Sequence, residues 1–308
     1  MPITEVAKIK IYLSLLAATR KFSWLWLFGL IGWFTGNTRF YLFFLFALLI
    51  FVDLGFYLTL LQIFGSFYAR IVNRFKLTSK ENYTCKGNYI LPFTGKWNVY
   101  NGGVTKELSH SWGIVSQRYA YDFIIFDDDG DVFSGGDYKR KNATLVEKYH
   151  CYARDIIAAA DGVVVKVSNG HPDSRTNGQM AYCNTWDLRG NFVVIQHKDC
   201  EYSLSSHLMP DSITVKAGDM VKQGDVIAKC GNSGNSSEPH LHFQLQTSKN
   251  FFFAVGLPIE FTNIKAQDSV GYRLWHEKMG IKPRTADGNL EIINGKYYIG
   301  RGLDVENI

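Results

Sequence analysis

Two histidines flank a leucine at His240-Leu241-His242, inside the phrase GNSGNSSEPHLHF. On a β-strand, side chains two positions apart share a face, so both imidazoles point into one layer while Leu241 enters the opposite one. A separation of roughly 7 Å along the strand suits one metal ligand beside one acid/base group. It also leaves room for a metal held by both rings. Imidazole is a favoured zinc ligand, and a hydrolytic zinc site needs three protein ligands with a fourth position open to water. Asp122, which opens the alternating run after QRYAY, and His110, in the turn-rich stretch SHSWGIVSQ, are the upstream candidates. His207, near the end of EYSLSSHL, is a candidate second catalytic imidazole.

The elements that must position these groups are short. From Tyr83 onward the chain breaks into apolar, often β-branched runs bounded by glycine: GVVVKVS at 162–168, NFVVIQH at 191–197, SITVKAG at 212–218, VIAKCG at 226–231 and HLHFQLQ at 240–246. Such spacing predicts an all-β domain with few long amphipathic helices. GDMVKQGDVI at 218–227 has the glycine spacing of a hairpin that turns tightly twice. Near the end, LEIING and KYYIGRG meet at Asn294-Gly295, a turn that hairpins prefer, so residues 262–308 read as a β-extension closing the domain.

The first part of the chain has a different character. Residues 22–34 carry no charge, and a second apolar run from Phe40 to Ala69 carries only Asp53. The second run exceeds the roughly 20 residues that cross a hydrocarbon core as a helix. Gly36-Asn37-Thr38 would turn a helical hairpin. Residues 1–76 are therefore expected to form a membrane anchor of one or two apolar helices in contact with lipid, and residues 80–308 a separate domain. Asp53 would face a partner helix, since its side chain is too short to reach the interface. Lysine and arginine flank the long run on both sides, so charge does not set its orientation.

Across 308 residues the net charge is +5, with the basic residues scattered rather than gathered, which argues against a nucleic-acid partner. The five cysteines, Cys85, Cys151, Cys183, Cys200 and Cys230, form no CxxC pair, which removes the zinc-knuckle and thioredoxin readings. In an oxidising compartment one or two disulfides could form among them.

Taken together, SHSWGIVSQRYAYDF, ADGVVVKV, GNFVVIQH, EYSLSSHL and VKAGDMVKQGDVIAKCGNSGNSSEPHLHFQLQ resemble the lysostaphin-type (LytM-like) zinc metallopeptidases, in a long-spaced QRYAYDF subgroup. The resemblance runs from about Lys80 to Phe261. It implies a mainly β, antiparallel sandwich or barrel-like peptidase domain (a duplicated hybrid motif) behind the N-terminal transmembrane helices. It implies Zn2+ held by His110, Asp122 and His242, with His207 and His240 beside a metal-activated water as base or transition-state stabiliser. The family's usual pattern has the first histidine four residues before the aspartate, whereas eleven residues separate His110 from Asp122 here. The substrate implied is a peptide of peptidoglycan, which would place residues 80–308 on the extracytoplasmic side of the cell membrane.

Two other readings share the fold. A biotinyl or lipoyl carrier needs a lysine on an exposed turn in an MKM-like setting, which this chain lacks, and a phosphocarrier has no use for Asp122 as a ligand. A catalytically inactive relative that regulates another wall hydrolase would typically have lost ligands, whereas His110, Asp122, His207, His240 and His242 are all present.

Overall fold

The computed structural model describes residues 22–52, 54–134, 145–174, 187–283 and 289–308. The strands among them are β1 (Trp97–Gly102), β2 (Tyr121–Ile124), β3 (Asp155–Ile157), β4 (Gly162–Ser168), β5 (Asn191–Lys198), β6 (Glu201–Leu208) and β7 (Met220–Val221). They continue with β8 (Val226–Lys229), β9 (Leu241–Gln246), β10 (Gly256–Leu257), β11 (Ile264–Asp268), β12 (Leu290–Ile293), β13 (Lys296–Ile299) and β14 (Leu303–Asn307). The helices are α1 (Gly29–Thr35), α2 (Leu54–Val72) and α3 (Val270–Met279).

The protein is mainly β, and its sheets are antiparallel. One sheet runs β11-β14-β1-β2-β9-β6-β5-β4-β7, with β10 added to β9. The ribbon β3–β8 supplies a second layer: Ile156, Ile227 and Ala228 join Val164, Val193, Ile195, Leu241 and Phe243 in the main core. On β9, Leu241, Phe243 and Leu245 enter that core while His242, Gln244 and Gln246 turn to the other face, the period-two alternation of a strand.

β4 occupies one of the apolar runs seen in the sequence, β5 extends another by a single residue, and β6 takes the stretch EYSLSSHL. Two expectations need correction. Residues 212–218 form no strand; Thr214 donates to the Ile227 carbonyl and Gly218 to the Val164 carbonyl, isolated bonds rather than a ladder. GDMVKQGDVI turns at Gly218 and Gly224, both with positive φ, yet it is no hairpin, because β7 pairs with β4 and β8 with β3. Local glycines set the turns, while partners distant in sequence set the pairing. The C-terminal stretch closes the sheet through β11 and β14, and Asn294-Gly295 turns the β12–β13 ribbon with both residues at positive φ. α3, which the sequence reading passed over, is capped by the Ser269 side chain on the Tyr272 N–H and ended by Gly280 at φ 64°.

Gly36, at φ 70°, ends α1 and turns the chain into the next helical segment. Within α2, Gly55–Val72 is long and apolar enough to cross a membrane by length and composition; the apolar helical stretches before it are shorter. Asp53 lies outside the described residues. α2 also packs on the domain that follows: Ala69, Val115 and Val255 form a cluster with Leu77 against it.

The segment that leads into the sheet is fastened by a buried carboxylate. Glu201 accepts from the Tyr83 hydroxyl (2.5 Å), the Tyr89 hydroxyl (2.7 Å) and the Lys86 and Gly87 N–H groups (2.6 and 3.0 Å). Four donors on one fully buried carboxylate satisfy it and order residues 83–89. Glu201→Ala strands those donors, and we expect a loss of about 3 kcal/mol in a denaturant unfolding experiment; an unchanged midpoint would contradict this role.

Candidate functional site

The site is built on the pairing of β2 with β9, whose register sets Asp122 directly across from His242. In an antiparallel pair, opposed side chains on one face are close neighbours. Asp122 Oδ1 lies 3.0 Å from His242 Nδ1, and Oδ2 lies 3.2 Å from His110 Nε2. The His240 Nε2 is 3.5 Å from Oδ1. The donor atoms of His110, Asp122 and His242 all fall within 4.8 Å of one another.

Each ring is oriented from behind. His242 Nε2 meets Gln244 Oε1 at 2.9 Å, and the Gln244 amide donates to the Ser116 carbonyl and to Gln246 Oε1. Gln244 therefore has an acceptor free for His242, so His242 donates from Nε2, and its Nδ1 faces Asp122 as a donor when the ring is protonated and as a lone pair when it is neutral. His110 places Nδ1 on the Ser111 hydroxyl (2.9 Å), with Nε2 toward the carboxylate. His240 donates Nδ1–H to the Glu238 carbonyl (2.8 Å), and His207 donates Nδ1–H to the Ser233 carbonyl (2.7 Å), so each turns Nε2 to the groove. The His207 and His240 rings are 4.7 Å apart. Asn101 donates to Asp122 Oδ2 (3.1 Å) and in turn accepts from Arg301.

The electrostatics fit a cation. Burial alone would raise the pKa of Asp122, but the facing His110 and His240 and the hydrogen bonds from His110 and His242 hold it well below the usual carboxylate range. Burial, with His240 and His242 nearby, pushes His207 well below the ordinary histidine value. A buried carboxylate ringed by imidazole lone pairs is a donor set suited to Zn2+. The thiols do not compete: Cys151 donates to the Pro239 carbonyl, and burial, with Cys151 alongside, pushes the Cys230 thiol well up. Burial likewise pushes Cys85 up to about 12. Cys85, Cys151, Cys200 and Cys230 are free thiols, and Cys183 lies outside the described residues.

Two glycines on facing loops, one of them the last of GNSG, are spatial requirements. Gly190 and Gly234 both have positive φ, and a Cβ on either would fall 2.3 Å from the other loop's backbone. That close approach sets Ser233 where its carbonyl receives His207. His207 itself sits at φ 61°, an uncommon conformation for a non-glycine residue.

The structure brings His110, Asp122, His207, His240 and His242 to one cavity of about 300 Å³. Although eleven residues separate His110 from Asp122, the intervening loop folds back on itself: the Ser109 hydroxyl donates to the Arg118 carbonyl and Arg118 covers Trp112. Tyr119 and Tyr121 are buried, their hydroxyls on the carbonyls of Thr78 and Ile299, as expected of packing residues. His197 bonds the Asp161 carbonyl and Ser203 and stacks edge-on with Tyr89, a structural role. Gln244 and Asn101 escaped the sequence reading; for Gln244 the available signal was a polar side chain two positions beyond His242, on the same face of the strand.

The sequence profile of Peptidase family M23 matches residues 148–252. Lipoprotein NlpD of Yersinia enterocolitica is 37% identical over 81 residues, which cover 26% of this chain and 80% of that protein. The chain belongs to peptidase family M23. Among other M23 relatives, peptidoglycan DD-endopeptidase ShyB of Vibrio cholerae is 36% identical over 72 residues, 23% of this chain and 16% of that one. The chain spans between 14% and 17% of the other long curated relatives that it matches. A zinc-containing peptidase from Vibrio cholerae aligns in structure over 55% of this chain and 39% of its own, at 22% identity and a TM-score of 0.31.

Gln244→Leu keeps the strand buried but removes the acceptor behind His242. We expect zinc affinity to fall about 10- to 100-fold in a chelator competition, with the fold retained; unchanged affinity would refute the orienting role.

Proposed function

We propose that this M23 chain is a zinc endopeptidase of the long-spaced QRYAYDF subgroup that hydrolyses amide bonds in peptidoglycan peptides. Residues 1–76 would anchor it in the lipid of the cell membrane, with residues 80–308 on the extracytoplasmic side where the wall lies. The reading is carried by one observation: a buried carboxylate with three imidazoles within 3.5 Å of it and a fourth ring at the same cavity. The curated relative ShyB, named as a peptidoglycan DD-endopeptidase, supports the substrate class.

His110, Asp122 and His242 would hold the zinc. Zinc in such a site lowers the pKa of a coordinated water from about 15.7 to about 7 and polarises the scissile carbonyl. His240, with Nδ1–H fixed on the Glu238 carbonyl, offers the Nε2 lone pair as base to a water in the groove. The same nitrogen, once protonated, returns its proton to the leaving amide nitrogen. His207 donates from protonated Nε2 to the developing oxyanion. Burial disfavours its charged form, and negative charge on the substrate oxygen offsets that cost as the transition state is approached.

Purified peptidoglycan incubated with the full-length zinc-loaded protein should release peptide fragments of defined mass, and a chelator should stop the release. No fragments with zinc replete would favour a regulatory role without hydrolysis. His242→Ala should lose bound zinc, whereas His240→Ala should keep the metal and lose turnover. His207→Ala should lower kcat by about 10²- to 10³-fold; zinc retained by the His242 variant, or turnover retained by the His240 variant, would overturn these assignments.

A further inference from the structure

α2 has two unlike faces. Gly55, Gln62, Gly65, Ser66 and Ala69 are buried, while Tyr57, Phe64, Phe67, Tyr68 and Ile71 point outward and are exposed. The small-residue face lies against the loop between His110 and Asp122 and against the loop after β9. Val115 donates its N–H to the Ser66 hydroxyl (3.0 Å), and Arg70 donates to the Gly113 carbonyl (3.2 Å). Gly65 approaches Phe252 so closely that a Cβ there would lie 1.8 Å from the Phe252 carbonyl oxygen. Tyr68 meets Phe253 edge to face at 5.7 Å. The eleven residues between His110 and Asp122 are thus the platform on which the helix rests.

This docking puts a helix residue into the groove. Gln62 is 8% exposed and lines the same cavity as His110, Asp122, His207, His240 and His242. Its carboxamide makes no hydrogen bond among the described residues and is not sealed off from the cavity, so its donors and acceptor stand open to a ligand there. A carboxamide offers one acceptor and two donors, the complement of a peptide N–H and C=O.

We propose that α2 is a wall of the substrate groove and that Gln62 is a specificity-determining residue, hydrogen-bonding the backbone of the bound peptide beside the scissile bond. The inference rests on the endopeptidase reading for its substrate class, and on the packing alone for the place of the helix. The catalytic cavity is complete only when the helix is seated, so the stretch of α2 from Gln62 to Arg70 lies along the domain and shapes what the enzyme accepts instead of crossing the lipid there.

The test uses the full-length chain in lipid nanodiscs, with cross-linked muropeptides from purified peptidoglycan as the probe. Gln62→Ala should raise KM about 5- to 30-fold, the loss of one or two buried hydrogen bonds, with kcat within about twofold and zinc content unchanged. Gly65→Val, which forces the helix off Phe252, should raise KM in the same way. Should that variant fail to fold, Tyr68→Cys paired with Phe253→Cys should cross-link under mild oxidation, and no cross-link would overturn the docking. An unchanged KM for Gln62→Ala would overturn the role of Gln62. If the wild type turns over no muropeptide, the endopeptidase reading fails on its own. Muropeptide affinity is then measured by calorimetry on the His240→Ala chain with and without Gln62→Ala: a 5- to 30-fold weakening supports the proposal, and equal affinity, or no binding by either, overturns it.

Discussion

The site depends on the ionised carboxylate of Asp122, buried where two strands meet. A charge in that position is stable only when opposite charge or strong hydrogen-bond donors surround it. Here His110, His240, His242 and Asn101 do so. The same arrangement suits a cation, because the rings, once neutral, turn lone pairs toward the carboxylate and converge with its negative charge.

Around that centre backbone carbonyls fix two of the rings, His207 and His240, and side chains the other two. Glu238 and Ser233 each offer a carbonyl, and their loop can bring them close because Gly190 and Gly234 touch. His110 rests on the Ser111 hydroxyl, and His242 is held by the amide row Gln244 and Gln246 on its own strand. The helix α2 extends the logic outward, since its small residues let it pack closely on the loops beside the site.

Much of the site was legible before any coordinates. The period of two in HLHFQLQ placed His240 and His242 on one face, and the structure has both lining one cavity with Leu241 in the core. The apolar runs of β4 and β5 and the Asn-Gly turn of β12–β13 were visible for the same reason, that alternation and turn chemistry are properties of adjacent residues. Residues 212–218 had the alternation and formed no strand, and GDMVKQGDVI had the turns without the hairpin, because both lacked a neighbour of matching register.

What the sequence by itself determined, then, was the donor types, their local facing and the turns that could present them. Only the tertiary structure decided that Asp122 and His242, 120 residues apart, stand in one register, that His110 returns across an eleven-residue loop, and that Gln62 reaches the groove. Short-range sterics act between neighbours and are written in the order of residues. Convergence at a buried charge depends on which strands pair and how tightly a helix can approach, and those follow from the packing of the whole chain.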